Sequence, residues 1–304
     1  GADQLKLVQD KVKKFVEKGN LGPFANAYWG HSTYKFTPEQ NLIALSHYLE
    51  CLRLQRTIAQ AMAVFGAKQP HPQSLTVGGV TCVMDLQSPA RLGEYMVKFQ
   101  EMADFINRAY WPDLVMAAKA YANEPSVVND IGTPNLMTYQ DFQIGANEYL
   151  FDGGYILNGD ISKVFEVDEN LITEEATRSW YKNDAPLHPY DGDTTPNYTG
   201  FKDAKTLNAK GEMEESKVFD IAGKYSWIKA PRYNSLPMQV GPIANIVVNY
   251  VKGNKNVVPV VDKFLAETGL PVSAVLSTLG RTACRMIEAK IIADNALKAL
   301  NNLI

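Results

Sequence analysis

Residues 37–66 read TPEQNLIALSHYLECLRLQRTIAQAMAVFG, and this stretch decides the fold. Thr37 is a good N-cap, because its hydroxyl takes up an N–H that the first helical turn leaves without a partner. Pro38 suits the first helical position, where no N–H is needed. Gln40 completes a capping box. Leu42, Leu45, Leu49 and Leu52 then recur at helical spacing and share one face. Gly66 is a natural stop. The pattern predicts a helix from Pro38 to Phe65, roughly 40 Å long at about 1.5 Å per residue. A helix of that length implies a large helical body.

Upstream, Leu5, Leu7, Val8, Val12 and Phe15 mark a helix that ends before Gly19. Gly22, Pro23 and Gly30, with aromatics between them, read as an irregular, partly buried loop. Downstream, Ser88 and Pro89 open a second long helix carrying Met96, Phe99, Met102, Ile106 and Tyr110. Pro112 is expected to kink or break it, with helix resuming to about Ala122. From Pro242 the chain is helical again, over about 242–252, 256–268 with Gly269 as a stop, and 278–303. Leu279, Ala283, Ile287 and Ile291 line the last of these helices.

Between the helical parts, Gly, Asp, Asn, Thr and Tyr dominate and alternation replaces the helical period. Tyr149–Leu157 around Asp152-Gly153-Gly154 reads as a hairpin, Lys163–Val167 as a strand, and Val218–Ile228 around Gly223 as a second hairpin. Thr173 with Glu174 and Glu175 reads as the start of a short helix. The expected fold is therefore mainly α with a small β-rich insertion (α+β), in one domain. Residues 1–122 and 242–304 form its helical core, and about 123–241 the insertion.

Composition narrows the function. The chain has 304 residues, 46% of them hydrophobic, with 30 basic and 33 acidic residues interspersed, a net charge of −3 and a pI near 5.9. That permits a large core, and it lacks the basic stripe that nucleic-acid binding needs. The most apolar stretch, Ile243–Val251, carries two asparagines and is too short to span a membrane. No basic–apolar–small signal pattern opens the chain. Cys51, Cys82 and Cys284 match no zinc, ferredoxin or Cys-x-x-Cys spacing, and read as small buried apolar residues. No dinucleotide fingerprint, phosphate loop, nucleophile elbow or His-Glu-x-x-His motif is present.

Three phrases carry chemical interest. His71-Pro72-Gln73 runs on through Gly78-Gly79 to Cys82. Pro70 and Pro72 stiffen the backbone around His71, whose imidazole could relay protons near neutral pH. A structural loop in which His71 and Gln73 satisfy backbone groups is the other reading. Lys229-Ala230-Pro231-Arg232-Tyr233 leads to Val240-Gly241-Pro242, and its cations suit carboxylates, phosphates or ordered waters as well as plain salt bridges. Ser277-Thr278-Leu279-Gly280-Arg281-Thr282-Ala283-Cys284-Arg285 sets two arginines one helical turn apart. They read as ion pairs that orient the last helix, with small residues for a neighbour's close approach. His31, His47 and His188 stand alone, and His47 is expected to pack or hydrogen-bond.

In this order and spacing the three phrases resemble the large subunit of nickel–iron hydrogenases, and the likeness runs from end to end. The resemblance implies a helix-bundle core and a nickel–iron centre held by four cysteine thiolates, one pair from near each end of the subunit. It also implies carbon monoxide and cyanide on the iron, a structural magnesium, and hydrogen as substrate. Electrons leave through iron–sulfur clusters of a small partner subunit. Neither cysteine pair is present in residues 1–304. The chain therefore resembles the central part of such a subunit and is expected to be inactive alone, with apolar surface exposed where other parts pack.

By the same resemblance His71, with Gln73, is a candidate for proton or electron transfer near the partner's nearest cluster. Glu174, Glu175 and Lys229 are candidates for the outer surroundings of the magnesium. Trp29-Gly30-His31 and the phrase from Gly66 to Gln73 look most like the uptake branch. That branch is periplasmic, is membrane-associated through partner subunits and passes electrons toward quinone. Two alternatives stay open, a metal-free relative of the complex I quinone oxidoreductase type and a non-catalytic helical scaffold.

Overall fold

The computed structural model describes residues 1–19, 32–124 and 132–303. His31, the Trp29-Gly30 pair before it and the loop expected around Gly22, Pro23 and Gly30 lie outside the described residues. Helix α1 spans Ala2–Glu17 and α2 spans Pro38–Gly66. The capping box forms as read: the Gln40 N–H donates to the Thr37 hydroxyl at 3.2 Å, and the Thr37 N–H donates to Gln40 Oε1 at 2.9 Å. The side of α2 that packs is not the leucine face. Leu54 and Ala61 are fully buried, while Leu49 and Leu52 are 42% and 46% exposed.

A short hairpin, β1 Leu75–Thr76 and β2 Gly79–Val80, and a single turn, α3 Val83–Leu86, follow α2. Helix α4 runs from Pro89 to Phe105, and the Arg91 N–H donates to its Ser88 cap. Of the kink or break expected at Pro112, the break does not occur. A π turn, Ile106–Tyr110, carries α4 into α5, Trp111–Tyr121, and Pro112 sits in the first turn of α5. Proline brings no N–H to bond backwards, and the wider π turn just before it accommodates the mismatch without ending the helix. His47 Nδ1 lies 2.8 Å from Asp113 Oδ2, tying α2 to α5 as expected of a histidine inside a helix.

The middle of the chain is β-rich, but its pairing differs from the local reading. The strands are β3 Leu136–Thr138, β4 Asp141–Gly145, β5 Glu148–Phe151 and β6 Gly154–Ile156. Tyr149–Leu157 makes no hairpin with itself, because β5 pairs with β4 while β6 pairs with β3. Lys163–Val167 is reduced to one bridge between Phe165 and Tyr155. Thr173-Glu174-Glu175 belongs to strand β7, Ile172–Glu175, and not to a helix. Asp168 instead caps a 3-10 turn at Glu169–Leu171, so the helical start lies a few residues upstream. The second hairpin also lies upstream of Val218–Ile228, as β8 Lys202–Leu207 and β9 Met213–Val218. Its turn is closed by Asn208, which accepts from the Lys210 and Glu212 N–H groups. Strand β10, Ala230–Tyr233, pairs antiparallel with β7.

The last helices match the reading: α6 Pro242–Val251, α7 Val258–Thr268 ending on Gly269 at φ 71°, and α8 Thr278–Leu303. A 3-10 turn, Val272–Leu276, precedes α8. One apolar core gathers Leu114 from α5, Leu136, Phe151 and Ile156 from the strands, Ile246 and Val248 from α6, Phe264 from α7 and Ile287 from α8. The architecture is α+β, with the strands completing the helical core. Among the described residues no helix is long and apolar enough to cross a membrane.

Candidate functional site

The His71 loop begins where α2 stops. Ala67 takes the left-handed conformation at φ 63°, and the Gln69–Pro70 peptide is cis. The Gln73 N–H donates to the Gly66 carbonyl at 2.8 Å, so it is the backbone of Gln73 that closes the end of the helix. A Cβ on Gly66 would lie 3.3 Å from Pro72 Cβ, which shows how closely the loop folds back. The side chains of His71 and Gln73 are exposed. Gly78, at φ 87°, turns the β1–β2 hairpin, and Thr81 returns to the Ser74 carbonyl at 2.8 Å. Beneath it lies a polar cleft of about 370 Å³ lined by Gln73, Ser74, Thr81, Cys82, Asp85 and Arg91.

The second predicted cluster is partly assembled. In the β7–β10 ladder Glu174 faces Pro231 and Glu175 faces Ala230. Lys229, one residue before β10, donates to Glu174 Oε2 at 3.2 Å, and its ammonium lies 5.2 Å from the centre of the Tyr181 ring. The Lys229 side chain is only 13% exposed. Gly192 allows this, since a Cβ there would sit 3.3 Å from the ammonium. Glu175 follows Glu174 on a strand and so projects to the opposite face. The structure thus joins Glu174 to Lys229 and leaves Glu175 apart.

Two of the three phrases meet. Arg281 Nε donates to Gln239 Oε1, and a terminal nitrogen of Arg281 donates to the Leu276 carbonyl, both at 2.8 Å. Arg281 therefore locks the start of α8 to the chain after β10, the orienting role read from its spacing. Arg285 is exposed. The close approach at Gly280 comes from the backbone of the preceding 3-10 turn and not from a neighbouring helix: a Cβ would lie 2.1 Å from the Val275 carbonyl oxygen.

The thiols do not form a metal centre. Cys51, Cys82 and Cys284 are all free, and Cys51 is only half-buried. Burial pushes the Cys284 thiol up to about 12, with Glu288 adding to the shift. It stays protonated at neutral pH, whereas the thiolate is the form that ligates metal. Among the described residues no group of three or more His, Cys, Asp or Glu side chains could hold a metal ion. The residues described here do not fit a nickel–iron centre.

The sequence matches the nickel-dependent hydrogenase family over residues 1–304. The chain belongs to that family. It is 55% identical over 304 residues to the quinone-reactive Ni/Fe-hydrogenase large chain of Wolinella succinogenes, covering all of this chain and 53% of that one. It is 38% identical to the uptake hydrogenase large subunit of Rhizobium leguminosarum bv. viciae, covering 94% of this chain and 50% of that one. The reduced, active Ni-Fe-Se hydrogenase of Desulfomicrobium baculatum superposes with a TM-score of 0.70 at 26% identity, over 90% of this chain and 53% of that one. The chain spans about half the length of the curated relatives it matches.

The local reading missed a polar network inside α6 of this hydrogenase-family chain. Asn249, fully buried, accepts from the Asp152 N–H at 2.7 Å and donates to the Asp152 carbonyl at 3.0 Å. Asn254 donates to Asn249 Oδ1 at 3.0 Å and to the Asp152 carboxylate at 2.9 Å. Asn245 donates to Glu288 at 2.6 Å and accepts from the Thr138 hydroxyl. The signal was visible as Asn245 and Asn249 one turn apart in the most apolar stretch. Buried amides need partners: Asn249 takes the backbone of the β5–β6 corner, while Asn245 takes Glu288 and Thr138.

Proposed function

We propose that residues 1–304 are the central part of the catalytic large subunit of a nickel–iron hydrogenase. The complete enzyme oxidises hydrogen reversibly to protons and electrons, and an iron–sulfur small subunit receives the electrons. The single observation that carries this reading is the family match over the whole chain, set beside three unpaired cysteines and no metal-holding group among the described residues. The nickel–iron centre, with its carbon monoxide and cyanide, is then held by residues outside this chain, and the chain alone is inactive. We read residues 1–304 as one domain, a long-helix bundle core carrying a β-rich insertion.

The chain's own contribution is to position. His71 and Gln73 stand exposed on a loop that Gly66 and the flanking prolines hold, and we assign this loop to the partner's side, for proton or electron transfer. The Glu174–Lys229 pair, whose ammonium is largely buried beside Tyr181 and Gly192, is assigned to the outer surroundings of a structural magnesium, with Glu175 the weaker member. We read the enzyme as periplasmic and membrane-associated through its partners; the relatives' names, quinone-reactive and uptake hydrogenases, support the uptake branch from which that reading follows.

The test is elemental analysis of nickel and iron, on this chain alone and on the protein expressed from its intact native locus. The expected result is about one nickel per large subunit in the intact protein and none in residues 1–304. No nickel in either would move the assignment to the metal-free relative or the scaffold.

A further inference from the structure

We propose that the outer edge of β8 is a contact between two copies of this chain, related by a two-fold axis at Ala204. Strands β8 and β9 form a two-stranded sheet, and among the described residues neither pairs with a third strand. No backbone hydrogen bond among those residues reaches the outer edge of β8. An open edge is a template for another strand, and charged side chains on it exclude most partners. On β8 those charges stand in a particular order. Side chains alternate along a strand, so Phe201, Asp203, Lys205 and Leu207 share one face, and all four are exposed. Leu207 is 69% exposed and Phe201 45%.

That order identifies the occupant. A two-fold copy meets the edge with the same residues in reverse. Antiparallel pairing centred on Ala204 sets Asp203 against the copy's Lys205 and Phe201 against the copy's Leu207, each contact made twice. Every pair on that face is favourable, with opposite charges in the middle and apolar contact at both ends. Sliding the copies by two residues one way would set Asp203 on Asp203, and the other way Lys205 on Lys205. A slip of one residue joins opposite faces and breaks the symmetry. One register is therefore selected. Within each hairpin Asp203 already pairs with Lys217, and Lys205 stands opposite Glu215. The joined sheet thus carries rows of alternating charge: Lys217, Asp203, then the copy's Lys205 and Glu215. The β9 edge fits less well. Paired on Ser216 it would lay the Glu214 carboxylate against Val218, and the Ser216 hydroxyl already bonds Thr206 at 2.9 Å. A different partner, whether the small subunit or the rest of the large one, makes no demand that the edge complement itself. A seam of one strand is small beside the roughly 1,200–2,000 Å² of a stable complex, so the association is reversible and concentration-dependent. The inference does not depend on the metal assignment, so either can fail without the other.

Cysteine cross-linking tests it, on the protein expressed from its intact native locus. Ala204→Cys places two thiols across the axis, with Cα atoms about 4.5–5.5 Å apart, inside the span of about 4.4–6.8 Å that a disulfide bridges. Under mild oxidation the expected result is a cross-linked pair of large subunits on a non-reducing gel, at a yield that rises with protein concentration. Ser216→Cys, on the other edge, is expected to give at least about tenfold less. No cross-link from Ala204→Cys, or as much from Ser216→Cys, overturns the inference. Charge provides the second measurement. Adding Lys205→Asp to Ala204→Cys sets aspartate against aspartate, and adding Asp203→Lys instead sets lysine against lysine. Each is expected to cut the yield at least about tenfold. Mixed one to one, these two variants again present opposite charges, and the yield is expected to return. A yield that neither change lowers, or that mixing does not restore, overturns the inference as well.

Discussion

At Gly280 a single methyl group decides whether α8 can begin where it does. The position a Cβ would take lies 2.1 Å from the Val275 carbonyl oxygen and 2.5 Å from that of Ala274. Both are backbone atoms of a tight turn and cannot swing aside. Gly280→Ala is therefore expected to destabilise the chain by about 3 kcal/mol or more, the upper end of overpacking costs, read as a lower urea midpoint. An unchanged midpoint would show that the turn yields. Glu288 poses a question of charge. Burial lifts its carboxyl above the ordinary value; the Asn245 hydrogen bond opposes this, Asp141 adds to it and Arg285 opposes it. The folded state thus holds this proton at a pH where the unfolded chain has released it, so stability falls as pH rises through that window. Glu288→Gln stays neutral and still offers Asn245 an acceptor. The variant is expected to be more stable than the native chain at pH 7, with the gain vanishing below the ordinary carboxylate range. Urea titrations across pH decide it, and a gain that persists in acid refutes the account. Neither site was fully legible in the sequence. Gly280 stood out as small, but what it makes room for depends on a turn whose backbone folds back, and Glu288 matters because tertiary packing buries its carboxyl, with Asn245 of α6 turned toward it.

Among the elements, helix ends were legible and strand partners were not. Thr37, Ser88 and Gly269 act on N–H and carbonyl groups within a turn of themselves, so local sequence suffices to place them. A strand's partner lies elsewhere. β5 and β6 are separated only by Asp152 and Gly153, yet they pair with different strands, because Asn249 and Asn254 of a distant segment hold that corner. The β8–β9 hairpin is the opposite case, since the two strands form a sheet of their own and most of their residues are exposed. Phe201 and Phe219 close its base with ring centres 5.2 Å apart. Replacing Asp203–Lys217 by a short Gly-Ser turn is expected to change the stability of the remainder by no more than about 0.5 kcal/mol, as for surface changes generally. A larger loss in thermal melting would mean that the hairpin braces the core.

For the whole molecule, the sequence by itself determined membership and class. The three phrases and their order place the chain in the nickel-dependent hydrogenase family, and the apolar periods place its helices. Those signals lie in residue identity and in spacings of a few residues, which survive without knowledge of the third dimension. Tertiary structure alone decided what meets what. It brought Arg281 to Gln239 and Lys229 to Glu174, separated Glu175 from that pair, and carried the chain past Pro112 on a π turn. It also turned α2 so that Leu54 is buried while Leu49 and Leu52 face outward. The leucine period was read correctly as a helix face, yet periodicity cannot tell which of two apolar faces a given neighbour covers. That choice belongs to the packing of helices against one another, since apolar area is worth burying only where another surface arrives to exclude the water.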